Sequence, residues 1–335
     1  MTDDVLFLSG PQVTRLLDAD TAIASQRAAF TALGSGAADL PAKIMHPSRF
    51  DDSVVFAYVS RLSADSGAVA KSGSVNPGNA AAGLPTIHAV LSVLDPVTGR
   101  LTAVMDGAAV TILHMAAASA VAVDAPATPD STDLAVLGSG TQAPAHVRAI
   151  ARVRPLKSVR LWSPTPRNRN RNRNRNRNRT RTRAAETPAE LGFPAEAVGS
   201  AEEAVSGASL VVACTLSRTP VVHGEWLAPG CTVVSMGSFE PTRREVDTDV
   251  LRRGVLSEAV VVDDPATAAE HAGPVVDALR AGLLTDPVGL GEVLTGRAVA
   301  RAAPGDIVYY NSVGLGIQDA AAAWAVVQAA KGERR

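Results

Sequence analysis

The chain has 335 residues, of which 46% are hydrophobic and 19% charged, enough to bury a sizeable core in one large or two ordinary domains. The formal net charge is -1, but nine of the 32 basic residues are arginines of one repeat at 167–183. The other 23 basic residues stand against 33 acidic ones. This balance is typical of an acidic soluble protein and not of a nucleic-acid binder.

Neither terminus nor interior shows a targeting or membrane signal. The chain begins MTDDVLFLSG, which is acidic and lacks the apolar run of a signal peptide. No stretch of about 18 uninterrupted apolar residues occurs, so we expect no membrane span. Cys214 and Cys231 lie in apolar, strand-like segments, and their spacing indicates neither a disulfide framework nor a metal site. Two buried thiols in such a chain predict a reducing compartment, the cytoplasm.

The first part of the chain mixes helical and strand-like patterns. Apolar spacing predicts a helix over 11–34. Four apolar runs then predict strands, and the turn DPVTGR between the last two predicts a hairpin. These runs are SVVFAYVS, GAVAKSGSV, TIHAVLSVLD and LTAVMDG. An Ala-rich helix follows over 108–125, and the segment PATPDST after it predicts a domain boundary near 128/129.

In the second part, apolar strands alternate with helices. Five segments are typical of buried strands: DLAVLGSG, SVRLWSP, SLVVACT, CTVVSMGS and AVVVDD. Strands that are apolar on both faces and separated by helices predict a parallel sheet covered by helices. The sequence therefore predicts an α/β protein, in which a Rossmann-type parallel-sheet domain follows a mixed α+β domain.

The turn after the first of these strands carries Gly138, Gly140 and Ala143 in the pattern G-x-G-x-x-A. The first glycine permits a tight turn, the second lets the backbone approach a pyrophosphate, and the alanine permits close helix–strand packing. The helix that follows presents unpaired N–H groups at its N-terminus. An ordinary Gly-rich turn is the alternative, but the strand, turn, helix and second strand together favour a dinucleotide site. The residues assigned to this site are Gly138, Ser139, Gly140, Thr141 and Gln142.

The end of the second strand bears on the choice between NAD and NADP. An NAD site usually has an acidic residue there, about 20 residues after the glycines. This strand ends RLWSPTPRN, without a carboxylate. Ser163, Thr165 and Arg167 could instead hold a 2′-phosphate, so the sequence favours NADP over NAD.

The Arg-Asn repeat over 167–183 begins directly after this strand. A loop on a packed scaffold tolerates a long insertion at little cost, and the repeat has no aromatic residue for base stacking. Its composition predicts a mostly disordered insertion. A nucleic-acid role is the weaker alternative, and it predicts that deletion of 167–183 destroys function. An inserted loop predicts a near-neutral deletion or a change in cofactor affinity only.

Several segments together resemble the ornithine cyclodeaminase/mu-crystallin family. They are KSGSVNPGNAAAGLPTIHAVLSVLDPVTGRLTAVMDGAAVT, which begins at Lys71, followed by GSGTQA, GCTVVSMGSFEPTRREVD and NSVGLGIQD. The resemblance covers nearly the whole chain, and only the repeat looks foreign. It implies a substrate-binding and dimerisation domain over 1–128, completed by 315–335, and a Rossmann NAD(P)-binding domain over 129–314. It also implies a homodimer whose small-molecule substrates are amino acids or their imines.

The resemblance assigns the substrate side of the site. Lys71 matches the lysine that faces the substrate, where an ammonium can hold a carboxylate, polarise a C=N or C=O bond, or move a proton. Lys43 matches an arginine that binds the substrate carboxylate, but lacks its bidentate fork. His114 stands where most members have an arginine, so it is an anion contact, a proton donor near neutral pH, a shape-determining group or a buried residue without a role. Asn76 is assigned to the substrate side, chiefly as a residue that fixes the turn.

The family's other motifs match in part. Five residues match its cofactor contacts: Thr215, Ser238, Ser312, Val313 and Gly314. Asp319 matches the aspartate of the terminal block, or is simply a carboxylate at a helix N-terminus. Phe239 stands where cyclodeaminases place a catalytic aspartate, and a phenyl ring cannot move a proton. A charged loop that we expect to be solvated follows: Glu240, Arg243, Arg244 and Glu245.

We therefore expect an NAD(P)H-dependent reductase of an imine or ketimine, or the reverse amino-acid dehydrogenase, with altered carboxylate ligands. Lys71, with His114 or a water, would handle the proton. One alternative is an ornithine- or lysine-type cyclodeaminase that uses bound NAD, which Phe239 disfavours. Another is a non-catalytic, mu-crystallin-like binder of NADP and a small ligand, which the loss of the arginine allows.

Overall fold

The computed structural model describes residues 5–80, 82, 84–163 and 192–333, together with 178, 180–182, 184 and 186. In chain order its elements are β1 Leu6–Leu8, α1 Gly10–Leu16, α2 Ala19–Gly34, β2 Ile44–Pro47, β3 Val54–Ser60, β4 Val69–Val75, a 3-10 turn Pro77–Ala80, β5 Ile87–Leu94, β6 Leu101–Asp106, α3 Gly107–Asp124, β7 Asp133–Leu137, α4 Gln142–Val153, β8 Ser158–Trp162, β9 Ala195–Ala197, α5 Ala201–Val205, β10 Leu210–Ala213, a 3-10 turn Gly224–Trp226, β11 Thr232–Ser235, α6 Thr248–Leu256, β12 Val260–Val262, α7 Pro265–His271, α8 Gly273–Arg280, β13 Val288–Gly289, α9 Leu290–Leu294, β14 Val308–Asn311 and α10 Gly316–Glu333.

The chain forms two compact units, one made of 1–118 with 315–335 and the other of 119–314. The first division falls inside α3 and not at the predicted 128/129. The segment PATPDST marks the end of α3, whereas the first unit ends at residue 118, inside that helix. The roles given above to the two domains stay predictions.

A six-stranded sheet forms the first unit, in the order β1-β6-β5-β4-β3-β2. Strands β2 to β6 pair antiparallel, and β1 joins β6 in parallel. The predicted hairpin is confirmed, since β5 and β6 are antiparallel and the N–H of Asp95 donates to the carbonyl of Arg100 at 2.8 Å across the turn.

Two helices replace the single helix predicted over 11–34. Asp18 separates them, because it caps the N-terminus of α2: its side chain accepts a 2.8 Å hydrogen bond from the N–H of Thr21. A capping aspartate is a local start signal that the apolar spacing alone does not reveal. Further along, α3 is long and apolar enough to cross a membrane by length and composition, but 67% of it is buried in the protein, as in a core helix.

All strand pairs of the second unit's eight-stranded sheet are parallel, in the order β13-β12-β14-β11-β10-β7-β8-β9. The predicted Rossmann-type sheet is therefore confirmed. Its strands β10 and β11 are buried along their whole length, which explains their continuous apolar runs. The strand order reverses between β7 and β10, and ligands of such sheets bind at the carboxyl ends of the strands beside that reversal.

The mostly disordered insertion over 167–183 stays a prediction, because the structure describes only residues 178 and 180–182 of it. These residues are helical, and Thr180 is only 5% exposed. Arginine and alanine both favour helix where the repeat runs into Ala184. The other residues of the insertion lie outside the described part of the chain.

Candidate functional site

Lys71 lies on the buried face of β4. Side chains alternate along a strand, so Val69 and Lys71 point inward while Ala70 and Ser72 point to the exposed face. Lys71 is 5% exposed, and its Nζ donates to Oγ1 of Thr111 at 2.6 Å. Lys71 is therefore a buried lysine of the first unit and not a surface residue.

Asp319 supplies the counter-charge to Lys71. It lies in the first turn of α10, is 2% exposed, and its Oδ1 accepts from Nζ of Lys71 at 2.9 Å. Burial by itself raises the pKa of this carboxyl, but the charges of Lys71 and His114 outweigh it and hold the pKa of Asp319 below its ordinary value. The two residues form a buried ion pair.

His114 completes this cluster from α3, three residues after Thr111 and hence on the same helix face. Its side chain is 2% exposed, and its Nε2 lies 3.1 Å from Oδ1 of Asp319. That distance suits an ion pair, but the atoms are not aligned for a hydrogen bond. Within the part of the chain that the structure describes, neither ring nitrogen has a hydrogen-bond partner. A buried imidazole in this state can still accept or donate a hydrogen bond to a ligand.

Lys43 and Asn76 differ in how far they join this cluster. The Nζ atoms of Lys43 and Lys71 lie 5.8 and 5.6 Å from the ring centroid of Tyr58, so both lysines approach one aromatic ring. Burial, and secondarily the charge of Asp319, raises the pKa of the Tyr58 hydroxyl. Asn76 instead contacts its own turn, since its Nδ2 donates to Oγ of Ser74 at 2.7 Å.

The structure shows why the glycine turn needs its glycines. Gly138 has a φ of +131°, and a Cβ there would lie 2.7 Å from the carbonyl oxygen of Cys214. At Gly140, by contrast, a Cβ would meet no atom within 4 Å among the described residues. The first glycine is thus required by the backbone and its packing, whereas the second leaves an open approach to the peptide, as a pyrophosphate needs.

The start of α4 also fits a phosphate. Thr141 precedes the helix but makes no side-chain cap, so the first N–H groups remain available to an anion. Oε1 of Gln142 is buried and has no hydrogen-bond partner among the described residues, which leaves an acceptor for a ligand hydroxyl or amide. Ser139 and Ser163 come together at the ends of β7 and β8, where their hydroxyls lie 3.1 Å apart. Thr165 and Arg167 lie outside the described residues.

A buried carboxylate links the predicted cofactor residues Thr215 and Ser238. Glu245 is fully buried, and its Oε1 accepts from the N–H and hydroxyl of Thr215 at 2.5 and 2.8 Å. Its own N–H donates to Oγ of Ser238 at 3.0 Å. The expectation that Glu245 is solvated is therefore wrong, because its loop folds back over the ends of β10 and β11.

Asp263 plays the same part at the end of β12. It is fully buried, and its Oδ2 accepts from the hydroxyl of Ser312 at 3.0 Å and from the N–H groups of Val313 and Gly314 at 2.7 and 2.8 Å. The predicted cofactor residues of the terminal block are thus held by a residue that sequence reasoning missed. Its signal was an acidic residue directly after an apolar strand, at the edge where ligands bind.

Comparisons with known proteins agree with this fold and show the family of the chain. The model of the ornithine cyclodeaminase/mu-crystallin family matches residues 4–334. Ketimine reductase mu-crystallin of Mus musculus is 29% identical over 246 residues, which are 73% of this chain and 71% of that protein. Delta(1)-pyrroline-2-carboxylate reductase of Thermococcus litoralis, solved with NADH and L-proline, has a TM-score of 0.89 at 26% identity over 98% of each chain. An archaeal alanine dehydrogenase dimer with bound NAD has a TM-score of 0.88 at 28% identity, over 99% of this chain and 97% of that one.

Proposed function

Because the chain belongs to the ornithine cyclodeaminase/mu-crystallin family, we propose that this NAD(P)-dependent oxidoreductase reduces the C=N bond of a small imine or runs the reverse oxidation. The observation that carries the proposal is the buried cluster of Lys71, Asp319 and His114. Reduction of an imine needs a hydride at carbon and a proton at nitrogen, and a reduced nicotinamide supplies the hydride when bound. The mouse relative is named a ketimine reductase, and the Thermococcus litoralis protein reduces a cyclic imine by its name.

The cluster supplies the proton. Lys71 carries it at Nζ, where Thr111 and Asp319 fix the direction of the ammonium. Donation to the imine nitrogen leaves a neutral amine on Lys71, which a proton from solvent restores. His114 lies beside the same carboxylate through Nε2, and its Nδ1, which has no hydrogen-bond partner among the described residues, hydrogen-bonds the substrate. Lys43, whose Nζ lies 5.8 Å from the centroid of the Tyr58 ring, supports a substrate carboxylate.

We propose NADPH as the preferred cofactor. Ser163 directly follows β8, where an NAD site usually has a carboxylate that holds ribose hydroxyls and would repel a 2′-phosphate. Its hydroxyl lies beside that of Ser139. The Thermococcus litoralis and archaeal relatives were solved with NADH and NAD, so NADH is the alternative that direct titration decides.

The test is binding and turnover measured together. NADPH and NADH are titrated by fluorescence, and oxidation is followed with 1-pyrroline-2-carboxylate, 1-piperideine-2-carboxylate and pyruvate with ammonia. We expect turnover of an imine, and Lys71→Met should lower it by about 100-fold or more while cofactor binding persists. Lys331→Met, which changes an exposed lysine of the same unit, is the matched control. Cofactor binding without turnover of any substrate would favour the non-catalytic binder.

Cyclodeamination is less well supported. Phe239, at the position where cyclodeaminases have their aspartate, packs its ring 5.0 Å from the guanidinium carbon of Arg243 and carries no titratable group. Release of ammonia from ornithine or lysine without added cofactor would revive this alternative.

We further propose a homodimer in the cytoplasm. The outer face of the six-stranded sheet exposes Ile44, Val59 and Val90, and apolar surface of this kind is typical of an interface. The archaeal alanine dehydrogenase is a dimer by its description. Light scattering should give twice the chain mass, and Val90→Lys should shift it to the monomer. The two free cysteines suit a reducing compartment.

A further inference from the structure

Glu245 and Asp263 have no part in the proton transfer proposed above, yet they are fully buried carboxylates of the second unit. Both lie at the carboxyl ends of strands in the parallel sheet. The four strands they serve, β12, β14, β11 and β10, are adjacent in that order. A buried carboxylate is costly unless it is well hydrogen-bonded, so its position calls for a physical reason.

Glu245 joins the ends of β10 and β11. Besides the two hydrogen bonds from Thr215, its Oε2 accepts from the hydroxyl of Ser235 at 2.8 Å and from the N–H of Gly237 at 2.7 Å. The hydroxyls of Ser235 and Ser238 lie 3.1 Å apart, which closes a ring that returns to the N–H of Glu245. A Cβ at Gly237 would lie 2.6 Å from Oε1 of Glu245, so only glycine allows this approach.

Asp263 joins the end of β12 to the segment after β14. Its Oδ1 accepts from the hydroxyl of Tyr310, while its Oδ2 receives the three donors of Ser312, Val313 and Gly314. Two of these three donors are backbone N–H groups, so the carboxylate determines the path of the chain itself. Each carboxylate thus accepts four hydrogen bonds and fixes a loop at the same edge of the sheet.

The strand order locates these loops relative to a dinucleotide. The glycine turn after β7 takes the pyrophosphate, and the end of β8 takes the ribose of the adenosine half. A dinucleotide lies across the point where the strand order reverses. Its nicotinamide half therefore lies beyond β7, over the ends of β10, β11 and β14, where Glu245 and Asp263 hold the loops.

We propose that Glu245 and Asp263 are positioning residues that shape the nicotinamide half of the cofactor site without acting on the adenosine half. This inference rests on the proposed function, since it needs a nicotinamide cofactor. An amide in place of either carboxylate keeps the shape but turns an N–H₂ group toward donors, so the loop must move to relieve the mismatch.

The test compares two nucleotides that differ only in the nicotinamide. Glu245→Gln and Asp263→Asn are titrated with the preferred reduced cofactor and with ADP-ribose, or its 2′-phosphate if NADPH is preferred. We expect the dissociation constant of the dinucleotide to rise by about 10-fold or more, with that of the ADP-ribose changed by less than about 2-fold. Glu240→Gln and Asp264→Asn are matched controls, because Glu240 lies on the same loop and asparagine caps α7 as well as Asp264 does.

Two results would overturn the inference. Equal losses for both nucleotides would show a general structural role, and unchanged affinity for both would show none. If the amide variants fail to fold, Ser235→Ala and Tyr310→Phe decide the matter, since each removes one donor to a carboxylate and leaves the charge in place. Failure of the wild-type protein to bind any nicotinamide nucleotide would instead refute the proposed function, which the same titration shows separately.

Discussion

The buried pair of Lys71 and Asp319 leads to the sharpest stability prediction. Their side chains are 6% and 3% exposed and the charged atoms lie 2.9 Å apart. Asp319→Asn removes the negative charge and leaves the buried ammonium of Lys71 without this counter-charge. Loss of one partner from a buried pair costs about 3–5 kcal/mol, because the other charge stays uncompensated. We expect this loss in the free energy of unfolding of the first unit.

An exposed pair with the same geometry provides the control. Arg252 and Asp249 also lie 2.9 Å apart, but their side chains are 61% and 55% exposed. Asp249→Asn should therefore cost about 0–1 kcal/mol. Urea unfolding of wild type and both variants, followed by probes that report each unit, measures the difference. The distances match, so the difference between the two expectations comes chiefly from burial.

A double-mutant cycle identifies the cause. Lys71→Met alone should also be destabilising, whereas Lys71→Met with Asp319→Asn should cost much less than the two single losses together. The reasoning would be refuted if the free energy of unfolding of Asp319→Asn were within about 0.5 kcal/mol of the wild-type value. It would also be refuted if the loss in the double variant equalled the sum of the two single losses.

Three further predictions concern pH and the glycine turn. The pKa of Asp319 is held below its ordinary 3.8, so its stabilisation is present above that pH and lost as the pH falls below it; Asp319→Asn should flatten acid unfolding there. Burial lowers the pKa of His146 from 6.5 to about 4. Between these pH values the unfolded chain binds a proton that the folded protein does not, so the free energy of unfolding falls by about 3 kcal/mol from pH 6.5 to pH 4. His146→Gln should remove this pH dependence in urea titrations at several pH values. Gly138→Ala should lower the thermal midpoint, whereas Gly140→Ala should leave it unchanged and weaken cofactor binding by about 10-fold or more, and equal midpoints for the two would contradict the roles given to them.

Local patterns in the sequence determined much of this protein. Apolar strands that alternate with helices predicted the parallel sheet, and Gly138 and Gly140 predicted its phosphate turn, because both features depend on residues close together in the chain. The family's segments led to Lys71 as well. Short strands such as β9 and β13 carry too few residues to show a period, and the break before α2 depends on one capping side chain.

The tertiary structure alone decided how the charged groups are paired. Asp319 lies 248 residues beyond Lys71, Glu245 accepts from Thr215 at a separation of 30 residues, and Asp263 accepts from Gly314 at a separation of 51. No periodicity links such distant positions, and the local sequence does not show whether a carboxylate is buried or solvated, as Glu245 illustrates. Only folding brings each carboxylate to its donors, and its burial is tolerated because those hydrogen bonds replace the water it has lost.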